Sequence, residues 1–388
     1  MLRPTGRFQY HNARRAVRVL RRTYAATSIE QPAGSLSSEA EIQSAREYCL
    51  GLLRSYDTPS YILRTYIPPS ALDAYLAIRA LNVDVARTGD TTSTPTIALM
   101  RMQFQRDAIT KALSGSPPKQ PISLLLAKAQ DDLQMRTGGQ AKLSRSWLTR
   151  IVDTREQYLG NSPYSSMEVL ERYAENTYST LLYLTLQALP MASVTADHVA
   201  SHVGKAAGIA TVLRGLPLIA FPPAPNKHSN QNGVPGAVGA SRQGAVMLPL
   251  DVMADTGVRE EEVLRKGAEA QGLRDAVFTV ATRANDHLIT AREMLKNIRA
   301  GEDAGHAFEH EDEEEHIYGA VPSKSGNKAK EQKQEIERAM GIFMPAVATS
   351  LWLERLQKHD FDVFAPKLRV TDWRLPWKAF LAYSRKTI

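Results

Sequence analysis

The 388-residue chain is predicted to be all-α, and three observations carry that prediction. Apolar side chains recur at helical spacing along the body of the chain. Helix-start signals recur as well: a capping box, hydroxyl caps and prolines at first-turn positions. No alternation of apolar and polar residues lasts long enough to make a sheet.

Element by element, Ser38-Glu39-Ala40-Glu41 is a capping box and starts a helix reaching about Tyr56. Pro68-Pro69 opens a helix that carries Arg79 and Asn82 and stops near Gly89. Thr94-Pro95 caps the next, with Ile97, Leu99, Met100, Phe104 and Ile109 as its apolar positions. Further helices are expected over 120–134, 143–158, 165–189 and 195–214, then in two long runs at 258–299 and 331–358. Pro217 is expected to break or kink the chain just past residue 214.

Two stretches interrupt this order without dividing the domain, which is expected over 45–388. Pro222–Gln243, rich in Pro, Gly, Asn and Ser, reads as an exposed insertion near 222–243. Residues 301–334 hold an acidic block, Glu309 to Glu315, followed by Lys324, Lys328 and Lys330, and read as a solvated loop. His306, His310 and His316 interleave that block, with weak metal chelation as the alternative to a plain solvated loop. His198 and His202 share a helix face at metal-ligand spacing, but the Glu of H-E-x-x-H is missing and no third ligand is evident. They read as a packed or hydrogen-bonded pair. Lys205 and Arg214 on the following turns fit either an anion site or ordinary ion pairs.

Charge is uneven along the chain. The seven arginines of residues 1–29, in a stretch without Lys, Asp or Glu, account for the whole net charge of +7. The body is balanced, which argues against a nucleic-acid surface. An Arg-rich, acid-free leader with an amphipathic pattern is the composition of a mitochondrial transit peptide, here 1–24, with Arg22-Thr23-Tyr24 before Ala25 as its processing site. The single cysteine, Cys49, excludes an internal disulfide. No apolar run reaches the ~18–20 residues that span a bilayer; Leu181–Val194 and Gly341–Leu353 come closest and read as core helices.

Two segments decide the functional reading. Arg79-Ala80-Leu81-Asn82-Val83-Asp84-Val85-Ala86 stands where a metal-binding R-x-x-D-x-x-x-D would be, and Val212-Leu213-Arg214-Gly215-Leu216-Pro217-Leu218-Ile219 where a second acidic run would be. An i, i+4 pair of carboxylates on each of two facing helices can hold Mg²⁺ and a diphosphate between them. The corresponding positions here are Asn82, Ala86, Gly215 and Ile219. Asp84 lies two residues from Asn82 and from Ala86, about 200° round the helix, and cannot replace either.

Around these segments the chain resembles the squalene/phytoene synthase family. Ser60-Tyr61, Tyr173-Ala174, Gln243-Gly244 through Pro249, and Trp352 to Phe364 fall at family landmarks in order. Ala196 to Ala206 and Leu99 to Phe104 resemble one divergent branch, the mitochondrial complex I assembly factor 6 family. The resemblance implies an isoprenoid-synthase-like helical bundle around a central cavity. It further implies a protein without catalytic residues, metal or cofactor, on the matrix side of the inner membrane. Its partners would be complex I subunits or assembly intermediates, with peripheral membrane contact and no nucleic acid. The alternative is an isoprenoid or phospholipid carrier using a metal-free former substrate cavity; a synthase with unrecognised ligands is the third reading.

Overall fold

The computed structural model describes residues 38–92, 94–222, 244–302, 304–310, 313–316 and 328–388. The expected leader 1–24 and nearly all of the 222–243 insertion lie outside the described residues. Among those described there is no strand.

The capping box forms: the Glu41 amide donates to Ser38 Oγ at 3.3 Å and the Ser38 amide to the Glu41 carboxylate at 2.8 Å, starting α1 (Glu39–Tyr56). Short α2 (Thr58–Leu63) leads to α3 (Pro69–Ala86), the one-turn α4 (Thr88–Thr91) and α5 (Pro95–Leu113). Then come α6 (Pro121–Thr137), α7 (Arg145–Gln157), α8 (Met167–Ala174), a π turn over Glu175–Ser179, α9 (Thr180–Ala188) and α10 (Val194–Ala220). The remainder is α11 (Leu250–Thr256), α12 (Glu260–Lys266), α13 (Leu273–Ala300), α14 (Lys328–Phe343), α15 (Pro345–Lys358) and α16 (Leu375–Arg385).

Several expectations change. On α5 the buried positions are Ala98, Met102, Gln105, Ala108, Ile109 and Ala112, a helical stripe half of alanines that lets α6 and α7 approach. Of the predicted apolar face only Ile109 is inside; Ile97, Leu99, Met100 and Phe104 are 42–67% exposed. The 258–299 run is broken by Gly267 and Gly272, both at positive φ, with a Cβ at 272 blocked by the Thr256 carbonyl. The 331–358 run is interrupted before Pro345, which starts a fresh helix. Pro217 does not end α10: it sits in the penultimate turn, buried, and the helix continues to Ala220. Among the described residues, the helix long and apolar enough to cross a membrane is α10, not the two stretches named above, and 67% of its most apolar part is buried inside the bundle. Cys49 is fully buried, and burial pushes its thiol up to about 12, so it packs as a small apolar residue.

Helix α10 is the axis of the bundle. It packs on α13, on α8 and α9, on the π turn and on α14 and α15. Two glycines one turn apart allow this. A methyl group at Gly204 would overlap the backbone of Ser179, and one at Gly208 would lie 2.6 Å from Ala174 Cβ. Gly204→Ala should therefore destabilise the protein by ~1–3 kcal/mol, because backbone rather than a movable side chain must shift. Gly51, inside α1 with nothing within 4 Å of its would-be Cβ, should give the opposite sign, a gain of ~0.5–1 kcal/mol on Gly51→Ala. Urea unfolding of the two variants checks both signs.

Candidate functional site

The two segments singled out in the sequence lie on α3 and α10, with α9 packed against both. Asn82 is buried, 4% exposed, whereas Ala86 one turn on is exposed. Asp84 points the other way, as the helical arc requires: its carboxylate accepts from Gln105 Nε2 of α5 at 2.6 Å, and burial raises its pKa. On α10, Gly215 and Ile219 are half-buried and Leu218 is 61% exposed. After residue 243 the chain returns beneath this end of α10, where the Ala245 amide donates to the Ile219 carbonyl at 3.3 Å and Gly244 lies too close to the Ala220 carbonyl to carry a Cβ.

A cation from the protein itself reaches Asn82. Arg155 projects from α7 and donates from Nη2 to Asn82 Oδ1 at 3.0 Å and from Nη1 to the Tyr173 hydroxyl. The rings of Tyr173 and Tyr178 stand 5.3 and 5.6 Å from its guanidinium carbon. Tyr158, Tyr164 and Tyr173 pack together at centroid distances of 4.9–5.3 Å. Arg79, 4% exposed, lies against Tyr75 one turn earlier on α3. Arginine and tyrosine thus surround Asn82 on the inner face of α3.

The first half of α10 carries a second polar group, and here the acidic loop is not merely solvated. Phe308 and His316 are buried. His316 Nδ1 is 2.8 Å from the Asp197 carboxylate, with the rings of Tyr183 and Trp147 at 4.6 and 5.0 Å. Glu175, in the π turn and 4% exposed, accepts from the hydroxyls of Tyr183 and Ser201. Lys205 bonds Glu309 at 2.7 Å, so the ion-pair reading holds for it; Arg214 bonds Thr211 and faces Trp352. His198 and His202 share a face as expected, and the structure supplies the third imidazole that the sequence did not show: His306, from the acidic loop. Sequence reasoning also missed Arg155, Glu171, Glu175 and His287. The one usable signal was Glu171 and Glu175, two acids one turn apart in the run expected to be helical over 165–189.

The squalene/phytoene synthase family pattern matches residues 53–379. The chain is 33% identical to mouse NADH dehydrogenase (ubiquinone) complex I, assembly factor 6, over 345 residues, 89% of this chain and 84% of the relative. The human protein of that name is 33% identical over 88% of this chain and 82% of its own length. The chain belongs to the squalene/phytoene synthase family, in its complex I assembly factor 6 branch. Among solved structures, a dehydrosqualene synthase superposes with a TM-score of 0.60 at 12% identity, covering 89% of this chain and 98% of its own. A squalene synthase from Alicyclobacillus acidocaldarius gives 0.56 at 12% identity, covering 84% of this chain and 98% of its own. These two show the synthase fold.

Glu171 offers a test of the polar half of this family member's α10 region. Burial opposes its ionisation, but bonds from His287 at 2.7 Å and from Arg283 win and hold its carboxyl at about 2 against an ordinary 4.5. A depressed carboxyl pKa stabilises the fold above the unfolded value, and that contribution is lost as pH falls from ~4.5 towards 2. Glu171→Gln should cost on the order of 2 kcal/mol at pH 7 and close the gap to wild type as the pH approaches 3. Denaturant titrations at pH 7, 5 and 3.5 measure it; a gap independent of pH contradicts the assignment.

Proposed function

We propose that this chain is a non-catalytic assembly factor for mitochondrial NADH:ubiquinone oxidoreductase, complex I, and acts by binding assembly intermediates on the matrix side of the inner membrane. The names of relatives at 33% identity over most of the chain support the complex I role. The observation that carries the non-catalytic part is the bond from Arg155 to Asn82. Both aspartate-rich motifs are read as lost: Asn82, Ala86, Gly215 and Ile219 offer no carboxylate. A guanidinium 3.0 Å from the Asn82 oxygen adds positive charge where divalent cations would have to gather.

Membrane contact is assigned to the carboxyl-terminal helix. Trp373, Trp377, Phe380 and Leu381 on and beside α16 are 46–79% exposed. Residues 363–388 contain six basic side chains and one acid. Exposed tryptophans beside lysines and arginines suit the interface of an anionic bilayer, where aromatic rings sit at headgroup level and each basic residue adds ~1 kcal/mol. The leader 1–24 is assigned as the import signal. For the lipid-carrier alternative, the described cavities give little support. One of ≈ 50 Å³ is walled by Arg214, Trp352, Arg355 and Arg369, and an open cleft of ≈ 550 Å³ runs between Arg274, Asp275, Phe278 and Asp360.

Deleting the gene should deplete assembled complex I on native gels while the other respiratory complexes stay near normal; normal complex I in the deletion contradicts the proposal. For the membrane surface, the purified protein should float with vesicles of phosphatidylcholine and cardiolipin. The double variant W373A/W377A should float several-fold less while melting at the wild-type temperature. Equal flotation of the two removes α16 from the contact.

A further inference from the structure

Three imidazoles from two chain segments meet at one edge of α10. His306 Nε2 lies 3.0 Å from Nε2 of His198 and 3.1 Å from Nε2 of His202. One nitrogen from each of the three lies within 4.8 Å of the others. Three imidazoles on a tetrahedral zinc ion, at 2.0–2.1 Å each, stand about 3.3 Å apart, so shifts of a few tenths of an ångström bring these atoms to a common ion.

Hydrogen bonding behind the cluster sets which nitrogens are bare. His287 Nε2 is 2.7 Å from the Glu171 carboxylate and therefore carries the proton there. With Nε2 carrying that proton, His287 Nδ1 faces His202 Nδ1 at 3.0 Å and is placed to accept from it. His202 donates from Nδ1, and its Nε2 lone pair is turned towards His306. A carboxylate acting through an imidazole to orient a ligand is the usual support behind a metal-bound histidine; here the relay is one imidazole longer. His306 can place only one proton on Nε2, and it faces two nitrogens. A cation satisfies all three.

We propose that His198, His202 and His306 form a binding site for one divalent transition-metal ion of the zinc class. All-nitrogen donors disfavour Mg²⁺, which takes oxygen ligands, so this is not a remnant of prenyl-diphosphate chemistry. His202 is also 13 residues before Gly215, about 20 Å along α10. His198 is buried, His202 half-buried and His306 exposed, which leaves the fourth position for water. The nearby Lys205 is matched by Glu309. Bound metal fastens the loop at 306 to a helix more than 100 residues earlier in the chain.

The test uses the full chain without a polyhistidine tag, stripped with chelator and passed over a desalting column. Titration with zinc chloride should give one ion per chain with a raised melting temperature, and Co²⁺ should give the visible absorption of a tetrahedral site; MgCl₂ should do neither. His306→Ala, at an exposed position, should keep the metal-free melting temperature and bind zinc at least tenfold more weakly. Glu171→Gln should weaken binding by ~10–100-fold through the relay. His310→Ala, outside the trio, should bind as wild type. Failure of the wild type to bind zinc overturns the proposal, and so does binding that His306→Ala and His202→Ala leave unchanged.

Discussion

The contact between the backbone of α10 and that of the segment from Ala174 to Ser179 is the constraint on which the rest of the structure depends. At Gly204 and Gly208 the two chains come closer than any side chain would permit. The approach puts Ser201 on Glu175 and carries Asp197, His198 and His202 around the helix to face the loop from 304 to 316. The π turn belongs to the same contact. One extra residue in the turn shifts the register of α9 relative to α8, and such bulges recur at working sites. Here it points Glu175 inward to two hydroxyls.

The helical order of the chain was legible because it is written locally. Ser38, Pro69 and Pro95 start helices where cap and proline chemistry says they should. Breaks were less legible. Gly267 closes α12 and Gly272 precedes α13, and at 272 the Thr256 carbonyl leaves no room for a side chain, a long-range fact that no window of sequence contains. The inner face of α5 was misjudged for a related reason. Large apolar residues attract attention, whereas the buried stripe of alanines, Gln105 and Met102 is set by how near α6 and α7 come. At the site, residues sharing one helix were visible, as with His198 and His202. Arg155, His306 and His316 were not, because each arrives from a segment far away in sequence.

Opposed carboxylates on two helices can gather divalent cations around a diphosphate. Arg155 bonded to Asn82 inverts it: the positive charge is covalently part of the fold, fixed by Tyr173 and flanked by Tyr178. A guanidinium remains charged at any physiological pH and does not dissociate when conditions change. On the proposed non-catalytic reading, surfaces elsewhere in the bundle carry the function. The exposed aromatic and basic face of α16 and the histidine edge of α10 are two such surfaces, at different parts of the bundle and with different chemistry.

The most direct test of this account is turnover. The purified full chain, incubated with Mg²⁺ and radiolabelled farnesyl or geranylgeranyl diphosphate, with NADPH present in parallel reactions, should release no diphosphate above a protein-free control. Formation of presqualene diphosphate, squalene or phytoene would contradict it, because Asn82, Ala86, Gly215 and Ile219 would then be sustaining chemistry that this arrangement of residues does not support.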